Sequence, residues 1–227
     1  QITASREVIL AGGVINSPQL LQLSGVGDPN HLSQHGIELR QALPGVGRNM
    51  RDHFTPRYTA RVKNSDTFNE RVHGIRLIAE AMKWALNKPS ILGIPATACY
   101  LFAKSNPSVE VNDLQITFMP ASYKAGVQST LDSLPGMTIA AWQQRPDSLG
   151  SVLIRSNNPF EKPAIDANYL GEESDRRVLL AGLKLARRLL RTEPMVPYFA
   201  GELYPGDAVV TDDEILDTAR ERGTTCF

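Results

Sequence analysis

The run Arg6-Glu7-Val8-Ile9-Leu10-Ala11-Gly12-Gly13 constrains the fold more than any other part of the chain. Val8 and Ile9 are β-branched and the apolar run ends in two glycines, which predicts a buried strand entering a tight turn. Asn16-Ser17-Pro18 follows. A capping side chain, then a proline whose missing N–H costs nothing at the first helical position, predicts a helix opening at Pro18. Leu20, Leu21 and Leu23 give that helix an apolar body, and Gly25 or Gly27 stops it. Strand, glycine turn and helix N-terminus in succession make a place where backbone N–H groups can face an anion.

Downstream, Asp28-Pro29 opens a second short helix that ends at Gly36, and residues 43 to 53 form a loop rich in turn formers. Phe54 to Val62 reads as a strand. Val72 to Leu86 places Ile75, Ile78, Ala79, Met82 and Leu86 at helical spacing, an amphipathic helix. Strands are expected at Leu114–Met119, Met137–Gln143 and Ser151–Arg155. Ser174 to Arg191 forms the clearest helix, with Leu179, Leu183, Ala186 and Leu190 on one stripe and arginines off it. Those arginines read as a solvated face balanced by later acidic residues. Thr211-Asp212-Asp213-Glu214 is a capping box for a helix ending at Gly223. Strands separated by long connections, with helices between, predict an α+β arrangement around an antiparallel sheet.

Charge excludes several function classes. The 24 cationic and 24 acidic residues cancel, so nothing global points to nucleic acid or an anionic membrane as partner. No apolar run approaches the ~18–20 residues of a transmembrane helix. Cys99 and Cys226 make neither a disulfide framework nor a metal-type spacing, so no metal is expected. His31, His35 and His73 read as surface residues. No Ser–His–Asp or Cys–His arrangement follows from spacing, Cys226 reads as a small packing residue, and the compartment stays open.

Three long strings carry a resemblance. Val8 to Gly27, in order, resembles the second signature of the glucose–methanol–choline flavoenzymes. Leu43-Pro-Gly-Val-Gly-Arg-Asn-Met-Arg-Asp-His53 resembles that family's loop at the flavin and domain boundary. Arg145 to Leu170 resembles the start of its C-terminal region, with Leu149 where the family has Arg and Ala167 where it has Pro. The chain thus resembles an internal part of a choline dehydrogenase-like member.

The resemblance implies residues 1–53 as part of an FAD-binding α/β domain. It implies 54–204 as a substrate domain with an antiparallel sheet and flanking helices, and 205–227 as a return segment. It implies FAD as cofactor, with Ala11, Gly12, Gly13, Ser17, Asn49 and His53 on the cofactor side; the plainer reading of Asp52 and His53 is that they hydrogen-bond the loop to itself. It implies oxidation of a CH–OH group to a carbonyl, a histidine accepting the hydroxyl proton and hydride passing to the flavin. That histidine is expected immediately after Phe227, so no catalytic residue is expected within the chain, and the Gly-x-Gly-x-x-Gly element is expected outside it too. The implied partners are a small-molecule alcohol and the remainder of the same polypeptide or a complementary chain. Alone, the chain is expected to be inactive.

Candidate substrate-wall residues, from side-chain type and strand placement, are Tyr100, Phe102, Phe118, Met119, Trp142 and Gln144; each reads equally well as core packing. Choline enzymes of the family carry a glutamate at a position that falls near Ala98, and no acid lies between Pro95 and Lys104. That points to an uncharged alcohol. Two other readings stay open: a hydroxynitrile lyase of the same family, and a non-catalytic binding module.

Overall fold

The computed structural model describes residues 3–95, 97–124 and 130–226. The elements run α1 (Gly13–Leu23), β1 (Val26–Gly27), α2 (Pro29–Gln34), β2 (Gln41–Ala42), β3 (Arg48–Met50), β4 (Phe54–Thr55) and β5 (Arg57–Val62). Then come α3 (Phe68–Arg71), α4 (Gly74–Ala85), a 3-10 turn (Ile91–Gly93), β6 (Cys99–Ala103), β7 (Leu114–Met119) and β8 (Gly136–Gln143). The rest are β9 (Gly150–Leu153), β10 (Ala164–Asp166), α5 (Glu173–Leu189), β11 (Phe199–Tyr204), α6 (Asp212–Arg222) and β12 (Thr224–Thr225). They fall into two compact units: Gln1–Asp52 with Asp147–Gly171, and His53–Pro146 with Glu172–Phe227. Residues 147–171, read above within the middle domain, therefore cluster with the beginning of the chain.

In the first unit β10, β9 and β3 form an antiparallel sheet, and β1 pairs with β2 in parallel. The second unit is built on an antiparallel sheet of order β11-β5-β8-β7-β6, with β12 paired to β4 beside it. α5 packs on one face of the larger sheet. Its stripe Leu179, Leu183, Ala186 and Leu190 is buried, as are Met137, Ile139 and Ala141 of β8 and Leu114 and Ile116 of β7. A Cβ added at Gly182 would lie 2.7 Å from Leu114 Cδ2 and 3.2 Å from Ala141 Cβ. Glycine lets the helix axis approach the strands that closely. The antiparallel sheet, the α5 stripe, the Asp28 cap of α2 and the Thr211–Glu214 capping box of α6 all form as the sequence predicts.

Five local expectations are corrected. Residues 6–10 are not a buried strand: among the described residues no strand pairs with them, and Val8 and Ile9 are exposed. β-propensity becomes a strand only where a neighbour supplies the ladder. Helix α1 begins at Gly13 rather than Pro18, so Pro18 sits inside it. Phe54–Val62 is interrupted at Pro56, which has no N–H for the ladder. His31 and His35 are half-buried rather than on the surface, their rings edge-to-face at 4.8 Å. Burial, then the neighbouring His35 and Arg48, holds the His31 pKa below its usual value. Last, the predicted apolar stripe of α4 faces solvent.

The arginines of α5 do more than solvate a face. Arg187 makes a two-pronged contact with Glu202 at 2.7 and 3.0 Å, and Arg191, just past the end of the helix, reaches the same carboxylate at 2.9 Å. That planar fork ties α5 to β11.

Candidate functional site

In the first unit the three motif strings meet through main-chain and side-chain bonds. Gln22 is fully buried; its Nε2 donates to Val152 O at 3.0 Å and its Oε1 accepts from Ile154 N–H at 3.2 Å. Val152 N–H donates to Gly47 O at 2.7 Å. The Tyr169 hydroxyl donates to the Asp52 carboxylate, which ties the third string to the second. Sequence reasoning missed Gln22 and Tyr169. A glutamine among the leucines of a helix was the available signal, because a buried amide must find partners.

The expected cofactor-side residues divide between the two units. Ala11, Gly12 and Gly13 are exposed at the start of α1. Gly12 N–H donates to Ser17 Oγ at 3.1 Å, which closes the turn over the helix start. Gly13 has φ of 76°, and a Cβ there would meet nothing within 4 Å. Among the described residues no side chain caps α1, so its first-turn amides present partial positive charge outward. That arrangement suits a negatively charged group such as a diphosphate. Asn49 lies exposed at a register shift between Arg48 and Met50, with φ of 60°. Asparagine is the non-glycine residue that best tolerates this region.

His53 belongs to the second unit. Its Nε2 lies 2.9 Å from Gln144 O, its ring centroid is 6.1 Å from that of Trp142, and its carbonyl accepts from Cys226 N–H at 3.0 Å. The donor geometry puts the proton on Nε2. The chain segment Thr224–Cys226 is thereby fixed beside His53 and the end of β8, with Cys226 exposed rather than packed.

The register of the large sheet decides which candidate wall residues share a face. Phe102, Gln115 and Trp142 lie on one rung; Tyr100, Thr117, Ala140 and Arg57 on the next; Met119, Thr138 and Thr59 on the third. Opposite partners in an antiparallel ladder point to the same side. Leu114 and Ala141 meet α5, so these three rungs are on the other face. Tyr100, Phe102, Met119 and Trp142 thus share one face of the sheet. Phe118 pairs with Ile139 and points to the α5 side. Gln144 follows the last paired residue of β8.

Tyr100 and Phe102 are exposed, whereas Trp142 is buried with no hydrogen-bond partner for Nε1 among the described residues; the same holds for Gln144 Oε1. Arg57, Gln115 and Thr117 were missed. The alternation Arg57-Tyr58-Thr59-Ala60, polar residues on one side and buried ones on the other, was the signal. On the α5 side, burial pushes the Tyr58 hydroxyl up to about 12, against the lowering effect of Arg187, whose guanidinium lies 5.0 Å from the ring centroid.

Comparison with known proteins bears on both units. The N-terminal sequence model of GMC oxidoreductase matches residues 1–55, and its C-terminal model matches residues 146–227. An oxygen-dependent choline dehydrogenase of Staphylococcus xylosus is 34% identical over 224 residues, 99% of this chain and 40% of the relative. A variant of the formate oxidase of Aspergillus oryzae RIB40, studied for FAD modification, superposes with a TM-score of 0.86 at 23% identity, over 98% of this chain and 44% of that one. Pyridoxine 4-oxidase from Mesorbium loti gives 0.75 at 18% identity, over 94% and 38%. The chain therefore spans about 40% of the length of its curated relatives. Two matching models of one family, with identity near 35% across nearly the whole chain, establish that this chain belongs to the GMC oxidoreductases.

Proposed function

We propose that the chain is the pocket-forming part of an FAD-dependent oxidoreductase that converts the CH–OH group of an uncharged alcohol to a carbonyl. The observation that carries this reading is the Phe102–Gln115–Trp142 rung, an aromatic and amide row beside His53 in a family member. FAD, when bound, supplies the two-electron acceptor. The chain's own residues bind and orient. Gly12 lets the turn close on Asn16, Gly13 leaves no Cβ to obstruct a cofactor, and the uncapped amides of α1 face its negative charge. Ser17 holds that turn, and Asn49 and His53 add polar contacts on the cofactor side. Tyr100, Phe102, Met119 and Trp142 form an apolar wall with Gln144 at its end, while Phe118 packs on the α5 side. The three rungs carry Arg57 and no carboxylate. A cationic substrate would therefore find repulsion and no counter-charge there.

The test uses a protein of family length that contains this chain. Flavin absorbance near ~450 nm, a cofactor band, is followed under anaerobic addition of benzyl alcohol, 1-octanol or choline. Bleaching by the uncharged alcohols at higher kcat/KM than choline is expected, as is loss of that preference in Trp142→Ala. A flavin-free protein, preference for choline, or cleavage of a cyanohydrin without flavin reduction would each overturn the reading.

A further inference from the structure

Helix α4 is turned the wrong way round for a helix that packs by its apolar side. Ile75, Ile78, Met82 and Leu86 fall within an arc of roughly 80° at helical periodicity. They are 83%, 60%, 60% and 65% exposed. Glu80, on the far side of the helix, is the residue that is buried. Its carboxylate accepts from Lys83 Nζ at 2.7 Å, Ile91 N–H at 3.1 Å and Arg71 Nη1 at 3.3 Å. Its carbonyl accepts from Ser90 Oγ at 2.9 Å. The helix is thus clamped by its polar back to the 3-10 turn and α3, and the clamp aims the apolar stripe outward.

We propose that the Ile75–Leu86 stripe is an intramolecular docking face, covered in the intact protein by an apolar element of the same polypeptide outside these 227 residues. The proposal rests on the reading above that the chain is part of a family-length oxidoreductase; the relatives are long enough to supply the element, since the chain covers 40% of one and 39% of another. Area argues for this occupant over a separate molecule. From Ile75 to Leu86 the stripe runs about 16 Å along a helix about 10 Å wide, so it offers a few hundred Å² at most. A stable complex between separate proteins needs about 800 Å² per partner. A segment tethered in the same chain avoids the translational cost and docks on far less. Charge argues against an anionic lipid surface. Arg71, Arg76 and Lys83 share the carboxylates of Asp66 and Glu80, so two of those three positive charges beside the stripe are already offset.

The experiment is thiol labelling of Met82→Cys, read at that residue by mass spectrometry. It is done in the 227-residue chain and in the family-length protein, with Arg177→Cys on the exposed face of α5 as control. Labelling of Cys at 82 is expected to be fast in the short chain and at least about tenfold slower in the long one, independent of protein concentration, with the control unchanged. Equal labelling in both would overturn the proposal. So would protection that grows with protein concentration, which marks a second copy, or protection that needs phosphatidylglycerol vesicles, which marks a lipid surface. Fast labelling in a long protein that binds flavin and oxidises alcohols refutes the docking face alone; a long protein without flavin refutes the functional reading instead.

Discussion

His53 donates through Nε2 to the carbonyl oxygen of Gln144, 2.9 Å away, across 91 residues of sequence. This bond fastens the entry of the second unit to the end of β8. His53→Ala leaves that carbonyl without its donor, and a part-buried acceptor so abandoned costs about 1–2 kcal/mol. Urea unfolding of the two proteins measures it; an unchanged midpoint would show that the bond contributes nothing.

Gly47 combines a φ of 78° with a backbone neighbour so close that a Cβ would lie 2.4 Å from Val152 O. Gly47→Ala meets both the left-handed penalty and a clash with main chain, and is expected to destabilise by about 2–4 kcal/mol. Gly36, also at positive φ but with open space around it, is the control; Gly36→Ala should cost only about 1 kcal/mol. Equal losses at the two sites would refute the close approach.

The Lys83 hydrogen bond first, then the Ile91 amide, pull the Glu80 carboxyl from 4.5 down to about 2. A depressed folded pKa stabilises the fold fully above the unfolded value and loses that contribution as pH falls through the folded one. Stability of the α4 region is therefore expected to decline between pH 4.5 and 2. Glu80→Gln should flatten that limb when melting is followed by tryptophan fluorescence, since Trp84 lies one turn away on the same helix. Identical acid limbs for the two proteins would falsify the assignment.

Leu183 is fully buried at the centre of α5. Leu183→Ala is expected to cost about 2–5 kcal/mol, the range for a cavity left in a packed core. A midpoint shift no larger than that of Arg177→Ala would remove α5 from the core.

The clearest parts of this fold in the sequence were those where local chemistry and packing agree. The α5 stripe, the Asp28 cap and the Thr211–Glu214 box are determined within one or two helical turns, so they could be read directly. Residues 6–10 and the α4 stripe misled for one reason: both are apolar patterns that no described residue buries, and a pattern names a buried face without naming what buries it. The shared sheet face was half legible. Aromatic type singled out Tyr100, Phe102 and Trp142, but only the register separates Phe118 from them, because one residue of shift moves a side chain to the other face. Gln22 and Tyr169 stayed hidden because their partners are 130 and 117 residues away.

The two units are interleaved along the chain: the first is begun by residues 1–52 and completed by 147–171, the second begun by 53–146 and completed by 172–227. A ribosome releases this sequence from its N-terminus, so β3 waits for β9, and β4 waits for β12 at the far end. Neither unit can finish folding while the chain is half made. The unpaired strand edges stay open during that interval, which makes synthesis, rather than the finished protein, the stage at which this chain is most exposed to aggregation.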